Sequence, residues 1–219
     1  MASTAPGCRL WRLLRPTRRR RHTNRVTSLE SALQRIAADL TGFGVDFALI
    51  GGLAVSVRTE PRFTRDADFA VSVSGDTEAE ALIRRLRTGG YEVTALVEQD
   101  AVGRLATVRL AVEGDAEGPV LDLLFASSGI ERELVAGAEP IELLPGLTVK
   151  VARMEHLIAL KVLSRDDERR PQDLIDLRAL LRTATTGELD LAREALRLIT
   201  TRGFHRGREL LPQLDALLT

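Results

Sequence analysis

Asp66 and Asp68 stand one residue apart in Arg65-Asp66-Ala67-Asp68-Phe69. From Thr64 the hydropathy alternates with a period of two, which predicts a strand with both carboxylates on one face, about 7 Å apart. Two carboxylates at that spacing repel each other unless a proton or cation lies between them. A hard divalent cation such as Mg²⁺ (or Mn²⁺) suits oxygen donors, retained waters and substrate phosphates. A third acid, Asp122, interrupts the apolar run Val120-Leu121-Asp122-Leu123-Leu124. A charge there is costly unless it has a partner. Placed beside Asp66 and Asp68 on a neighbouring strand, it completes a triad able to hold two metal ions. One activates an attacking hydroxyl and the other neutralises a triphosphate.

A phosphate-binding element precedes the acidic pair. Phe47-Ala48-Leu49-Ile50 reads as a short strand ending at Gly51-Gly52, and residues 53–59 read as a short helix before Pro61. Glycines at such a junction let the backbone approach phosphate oxygens, with helix N–H groups aimed at the anion. Arg58, Arg62, Thr64 and Arg65 lie between Gly52 and Asp66 and can add contacts. Only two lysines occur, Lys150 and Lys161, against 29 arginines, so Lys161 on an expected helix draws attention. Each element has a bland reading. Gly-Gly is commonly a plain turn, Asp-x-Asp an exposed strand face, and Lys161 a solvated helix lysine. Asp173 and Asp176, three apart on one helix face, suit surface charges or partners for Arg169 and Arg170. The order strand, Gly-Gly, short helix, Asp-x-Asp strand, then apolar-Asp-apolar strand narrows these options. His22, His156 and His205 do not cluster, and Cys8 has no catalytic partner in sequence, so zinc and Cys/His or Ser/His/Asp chemistry find no support.

The elements that must position these residues follow from periodicity. Ser28 is a helix N-cap before Leu29, Leu33, Ile36, Ala37 and Leu40, with Gly42 and Gly44 as the stop. A helix is expected over 76–88, strands over 91–98, 105–112 and 120–126, and a hairpin around Pro145-Gly146. Helices are expected from Met154, over 171–181 with Pro171 near the start, over 189–199 and over 208–218. This predicts an α+β fold, a mixed sheet flanked by helices with a helical C-terminal part. The expected division is a flexible basic tail (1–26), a catalytic domain (27–151) and a helical region (152–219). The 219 residues carry 31 basic and 31 acidic side chains, but residues 1–26 hold eight arginines and no acid. The remainder is therefore acidic, with 23 basic against 31 acidic groups. The tail reads as a nucleic-acid arm, a transit-like segment or a translated leader. One cysteine excludes an internal disulfide, and no run reaches the ~20 apolar residues of a membrane span. The expected setting is the cytoplasm.

Ala48-Leu49-Ile50-Gly51-Gly52-Leu53-Ala54-Val55 followed by Arg62-Phe63-Thr64-Arg65-Asp66-Ala67-Asp68-Phe69 resembles the signature of the polymerase-β-like nucleotidyltransferase superfamily. It is more closely similar to the AbiEii-type nucleotidyltransferases of bacterial toxin–antitoxin and abortive-infection systems. Lys161 and Arg169-Arg170-Pro171-Gln172-Asp173-Leu174-Ile175-Asp176-Leu177 extend the resemblance, which covers roughly residues 27–183. It implies transfer of a nucleoside monophosphate from an NTP to a hydroxyl, with tRNA as a suggested acceptor and a cognate antitoxin as a partner. On that reading Asp66, Asp68 and Asp122 hold the metals, and Asp122 is also the general base. Gly51, Gly52, Arg62 and Thr64 contact the nucleotide, as does Lys161. Asp173 or Asp176 fixes that lysine or the acceptor. The position after the first glycine, often serine in the superfamily, is Gly52 here. A non-catalytic relative serving as a nucleotide-binding or regulatory partner is the alternative, and a metal-dependent glycosyltransferase a third reading. On this reading the three carboxylates converge within roughly 4–6 Å, with Asp122 on the same sheet face, and Lys161 faces the same cleft.

Overall fold

The computed structural model describes residues 15–99, 102–115 and 117–218, with side chains from residue 29 onward. Eight helices and seven strands follow the order α1 (Arg15–Gly42), β1 (Phe47–Ile50), α2 (Gly51–Arg58), β2 (Ala67–Val71), α3 (Asp76–Thr88), β3 (Tyr91–Gln99), β4 (Arg104–Val112), β5 (Leu121–Leu124), α4 (Glu131–Gly137), β6 (Glu139–Leu144), β7 (Leu147–Val151), α5 (Met154–Ser164), α6 (Pro171–Thr183), α7 (Thr186–Thr201) and α8 (Leu210–Asp215), counted among the described residues. One mixed sheet orders them β3-β4-β5-β2-β1-β7-β6. β2 pairs parallel with β5 and antiparallel with β1, and β1 pairs parallel with β7. The sheet centre is therefore covered on both faces, and its strands read as short apolar runs. Phe69, Leu49, Leu121 and Leu123 are fully buried there, and Phe47 meets the Phe69 ring edge-on at 5.8 Å.

Most expected elements occur close to their expected limits, with four differences. The first helix begins at Arg15, inside the stretch expected as a tail, and runs through Ser28 instead of being capped there. Arginine is a good helix former, so the basic run continues the helix of 29–42 rather than ending it. Residues 1–14 of that tail lie outside the described residues. β2 starts at Ala67, so Asp66 precedes the strand by one residue. Residues 131–137 form α4, where periodicity predicts no element. At its start Glu131 turns back to accept from the Ser127 and Ser128 N–H groups and the Ser128 hydroxyl, tying the helix to the end of the preceding strand. The last helix is short, Leu210–Asp215. By contrast α7 carries a complete capping box, Thr185 with Glu188.

The apolar core runs without a break from the sheet into the C-terminal helices. Leu157 and Ile158 of α5, Leu177 and Leu180 of α6 and Leu196 and Ile199 of α7 join the same buried cluster as the strand residues. A second contact secures the far end. Gly129 adopts φ 75°, and a Cβ there would lie 2.5 Å from the Phe204 ring. Arg202 reinforces this join by donating to the Gly129 carbonyl and to Glu133. We expect Gly129→Ala to lose about 2 kcal/mol of stability from backbone strain and displacement of the ring, measured by urea denaturation; an unchanged midpoint would show that this join is dispensable.

Candidate active site

A row of side chains crosses four strands at the N-terminal ends of β2 and β5. Ile50 of β1 lies opposite Asp68 of β2, Asp68 opposite Asp122 of β5, and Asp122 opposite Arg109 of β4. In-register neighbours share a sheet face, so both carboxylates and the guanidinium project to the same side. β1 ends at Ile50, and the chain turns into α2 through Gly51 at φ 65°. A Cβ on Gly51 would stand 1.9 Å from a carboxylate oxygen of Asp68. Glycine is thus required twice over, for the left-handed turn and for the space the Asp68 carboxylate occupies.

Asp68 is strained electrostatically. Burial, then the negative charge of Asp122 and more weakly that of Asp66, push its carboxyl up from 3.8 to about 6; Lys161 and Arg170 pull the other way. Asp122 is buried, yet its two oxygens accept from Arg109 Nε at 2.9 Å and from a terminal Arg109 nitrogen at 2.8 Å. That bidentate pair satisfies the charge that the apolar run LDLL left unexplained. Among the described residues, no three His, Cys, Asp or Glu side chains gather closely enough to cage a metal ion. Asp68 and Asp122 are in-register neighbours on adjacent strands, and the charges of Asp122 and Asp66 both act on Asp68. Asp122 turns to Arg109, and the carboxylates repel one another.

The helical part supplies a second cluster. Lys161 of α5 lies 2.6 Å from Asp173 and 2.8 Å from Asp176, both on α6. Asp173 also accepts from Ser164 at 3.1 Å and from Arg170 at 3.1 Å. Asp176 takes a bidentate grip from Arg62, 2.8 Å on each oxygen, and a further bond from Gln172. The two aspartates are 3% and 1% exposed, so neither is a surface charge. Burial works against the Asp176 carboxylate, but the bonds from Arg62, Lys161 and Gln172 outweigh it and hold it below the ordinary range.

The residues expected on the nucleotide have these partners within the chain. Arg62, expected on phosphate, donates to Asp176 and to the Phe63 carbonyl. A Cβ on Gly52 would come within 2.3 Å of the Arg62 guanidinium, so the glycine is adjacent to that side chain. Thr64 donates to the Asp66 carbonyl at 3.3 Å and so shapes the approach to β2. Lys161 faces the carboxylates as expected, since its charge acts on Asp68. Arg109 and Arg170 escaped the sequence reading as site residues. Arg109 had a signal: it is a charge inside the apolar strand 104–112, next in the chain to a strand with a lone aspartate. Those two lone charges neutralise each other.

The donors at Asp66 and Asp68 fit a divalent cation. They are hard oxygens, and burial and the repulsion of Asp122 raise the Asp68 carboxyl, a cost that a bound cation relieves. Asp122 fits the same ion only after Arg109 lets go. The raised Asp68 value also carries a stability consequence. A folded-state value above the unfolded one means that stability falls as pH rises from about 4 through 6, and the cost is complete above that window. With EDTA present, Asp68→Asn should be more stable than the wild type at pH 8, by on the order of 2 kcal/mol, and lose that advantage by pH 4. Thermal melts across pH test this; a difference independent of pH would refute it.

Comparison with known proteins gives a concordant picture. No functionally curated protein matches the chain. A nucleotidyltransferase-like protein from Paracoccidioides brasiliensis, described as antigenic, has a similar structure, with TM-score 0.52 and 19% identity over 87% of this chain and 93% of that one. The structure of ANT(2")-Ia with adenylyl-2"-tobramycin aligns with TM-score 0.49 and 19% identity, covering 76% and 95% of the two chains. A structure described as a "putative nucleotidyltransferase from H. pylori" aligns with TM-score 0.45 and 16% identity, covering 89% and 91%. The first of these shows the fold. Residues 31–217 match the family described as "Nucleotidyl transferase AbiEii toxin, Type IV TA system". The chain belongs to the AbiEii nucleotidyltransferase family, and nucleotidyl transfer is the chemistry of its class.

Proposed function

We propose that this protein is a metal-dependent enzyme that moves a nucleoside monophosphate from an NTP to a hydroxyl of an RNA acceptor, of which tRNA is the first candidate. The observation that carries the reading is the in-register pair Asp68 and Asp122, with the Asp68 carboxyl pushed up to about 6 beside a glycine that leaves it room. The family description supports a role as the toxin of a type IV toxin–antitoxin system, with an antitoxin as the cognate partner. Among the described residues no helix is long and apolar enough to cross a membrane.

Asp66 and Asp68 would hold Mg²⁺ or Mn²⁺, joined by Asp122 when Arg109 releases it. A divalent ion there supplies charge neutralisation for the triphosphate and lowers the pKa of the attacking hydroxyl. The chain's own residues do the remainder. Gly51 and Gly52, at the start of α2, admit the triphosphate close to backbone N–H groups. The acceptor oxygen forms a bond to the α-phosphorus, the bond to the bridging α–β oxygen breaks, and pyrophosphate leaves with that oxygen. The acceptor proton passes to Asp122. Arg109, freed from Asp122, meets the negative charge of the entering phosphates. Lys161, fixed by Asp173 and Asp176, presents positive charge to the cleft from the helical side. Such transfer depends mainly on positioning and charge stabilisation. The strand-rich part (27–151) carries the metal and phosphate positions, and the helical region (152–219) contributes the lysine. Residues 1–26 have no role in this scheme.

A direct assay combines the protein, Mg²⁺, each labelled NTP and bulk tRNA. We expect label on the RNA and pyrophosphate in solution, both reduced at least about a hundredfold in Asp68→Asn. Label retained on the protein as bound nucleotide, with no transfer to any acceptor, would favour a nucleotide-binding regulator instead. In the same assay Lys161→Met should cut transfer about tenfold or more and lower thermal stability, because it leaves Asp173 and Asp176 with fewer cationic partners. Full activity in that variant would remove Lys161 from the site.

A further inference from the structure

A cavity of about 760 Å³ lies beside the segment that leads into Asp66, a size usual for small-molecule sites. Leu33 of α1 and Leu53 and Val57 of α2 give it apolar walls, and Phe63, Arg65 and Pro119 also line it. The chain ties this lining to each part of the proposed site. Leu53 follows Gly52, Arg65 precedes Asp66, and Pro119 stands three residues before Asp122. In extended chain such offsets correspond to roughly 3–10 Å. The leads into β2 and β5 also hold each other, since the Ala67 N–H donates to the Val120 carbonyl at 2.9 Å. The cavity therefore sits at the sheet end where these two parallel strands begin.

Its mouth carries an exposed ring. Phe63 is 56% exposed and is the one aromatic among the large apolar residues left exposed, counted among the described residues. Its backbone is held in place. Arg62, anchored on Asp176, donates to the Phe63 carbonyl at 3.2 Å, and Thr64 donates to the Asp66 carbonyl. A ring fixed in this way offers a flat apolar face to a ligand. Arg65 sets its guanidinium 5.9 Å from the centre of that ring. Arg35 and Arg85 stand closer to their rings, 4.7 and 3.9 Å, and both also bond to backbone carbonyls. Arg65 makes no ion pair among the described residues, so its charge can meet an external anion. Apolar walls, a flat ring and a cation beside the metal-binding pair match the parts of a nucleotide, whose base has apolar faces and whose phosphates are anionic.

We propose that this cavity receives the base of the NTP, stacked on the Phe63 ring, while Arg65 faces the phosphates. The triphosphate has its place on Gly51 and Gly52, and Leu53 continues directly from there into the cavity. The base is the part of the nucleotide that the transfer scheme leaves without a partner. The inference rests on the nucleotidyltransferase reading, but its test reads binding rather than transfer and separates the base from the phosphates.

Binding of ATP, GTP, CTP, UTP and inorganic tripolyphosphate to the full chain, each with Mg²⁺, is measured by calorimetry. We expect at least one NTP to bind more tightly than tripolyphosphate. Phe63→Ala should weaken that NTP about tenfold, as the loss of a stacking ring does, and leave tripolyphosphate unchanged. It should melt as the wild type does, because the ring is largely exposed. Phe63→Tyr, which keeps the ring, should keep the affinity, as should the control Leu191→Ala, exposed on α7. Wild-type NTP affinity in Phe63→Ala, or an equal loss for tripolyphosphate, overturns the base pocket while leaving the transfer reading intact. So does a wild type that binds tripolyphosphate as tightly as every NTP. Weaker tRNA binding in Phe63→Ala with NTP affinity unchanged gives the cavity to the acceptor and overturns the proposal as well. Failure of the wild type to bind any of the five ligands overturns both readings.

Discussion

The buried ion cluster of Lys161, Asp173, Asp176 and Arg62 is the constraint on which the rest of the site depends. It joins three segments distant in sequence: α5, the first turns of α6, and the loop that leads into β2. Four charged groups taken out of water are a poor source of net stability, since their desolvation offsets most of their attraction. What they provide is position. Each carboxylate accepts at least three hydrogen bonds or ion contacts, so α6 has one way to sit against α5 and against the 62–66 loop. Removing one partner would leave the others uncompensated, which makes the arrangement all-or-none.

That geometry propagates to the chemistry. Arg62 is anchored four residues before Asp66, and Thr64 binds the Asp66 carbonyl, so the approach to β2 is set from the helical side. The same cluster brings the Lys161 charge to bear on Asp68. On the other flank Arg109 does for Asp122 what Lys161 does for Asp173 and Asp176. The cleft therefore carries its own counter-charges, and Asp68 is the acid left poorly compensated. A carboxyl held near 6 is poised to exchange its proton for a cation, which is where the metal-binding proposal draws its strength.

Much of this was legible beforehand. The Gly-Gly turn after an apolar strand, the Asp-x-Asp spacing, the helix over 76–88 and the helical C-terminal part all follow from local rules of periodicity and turn chemistry. Even the scarcity of lysine pointed to Lys161. Less legible was where each charge spends itself. Arg62 read as a phosphate ligand because it is basic and lies near the motif, yet its partner is 114 residues away on α6. Asp173 and Asp176 read equally well as surface charges, because helix spacing says which face they share and not whether that face is buried.

What the sequence determined by itself is the set of reacting groups and their local placement: Asp66 and Asp68 one residue apart, Gly51 at a strand end, Asp122 inside an apolar strand. These depend on neighbours within a few residues, where backbone geometry dictates direction. Only the tertiary structure decided the pairings of Arg109 with Asp122, of Arg62 with Asp176, and of Lys161 with Asp173 and Asp176. Such pairings arise from strand order and helix docking, and a charged side chain takes whichever opposite charge the fold brings within reach.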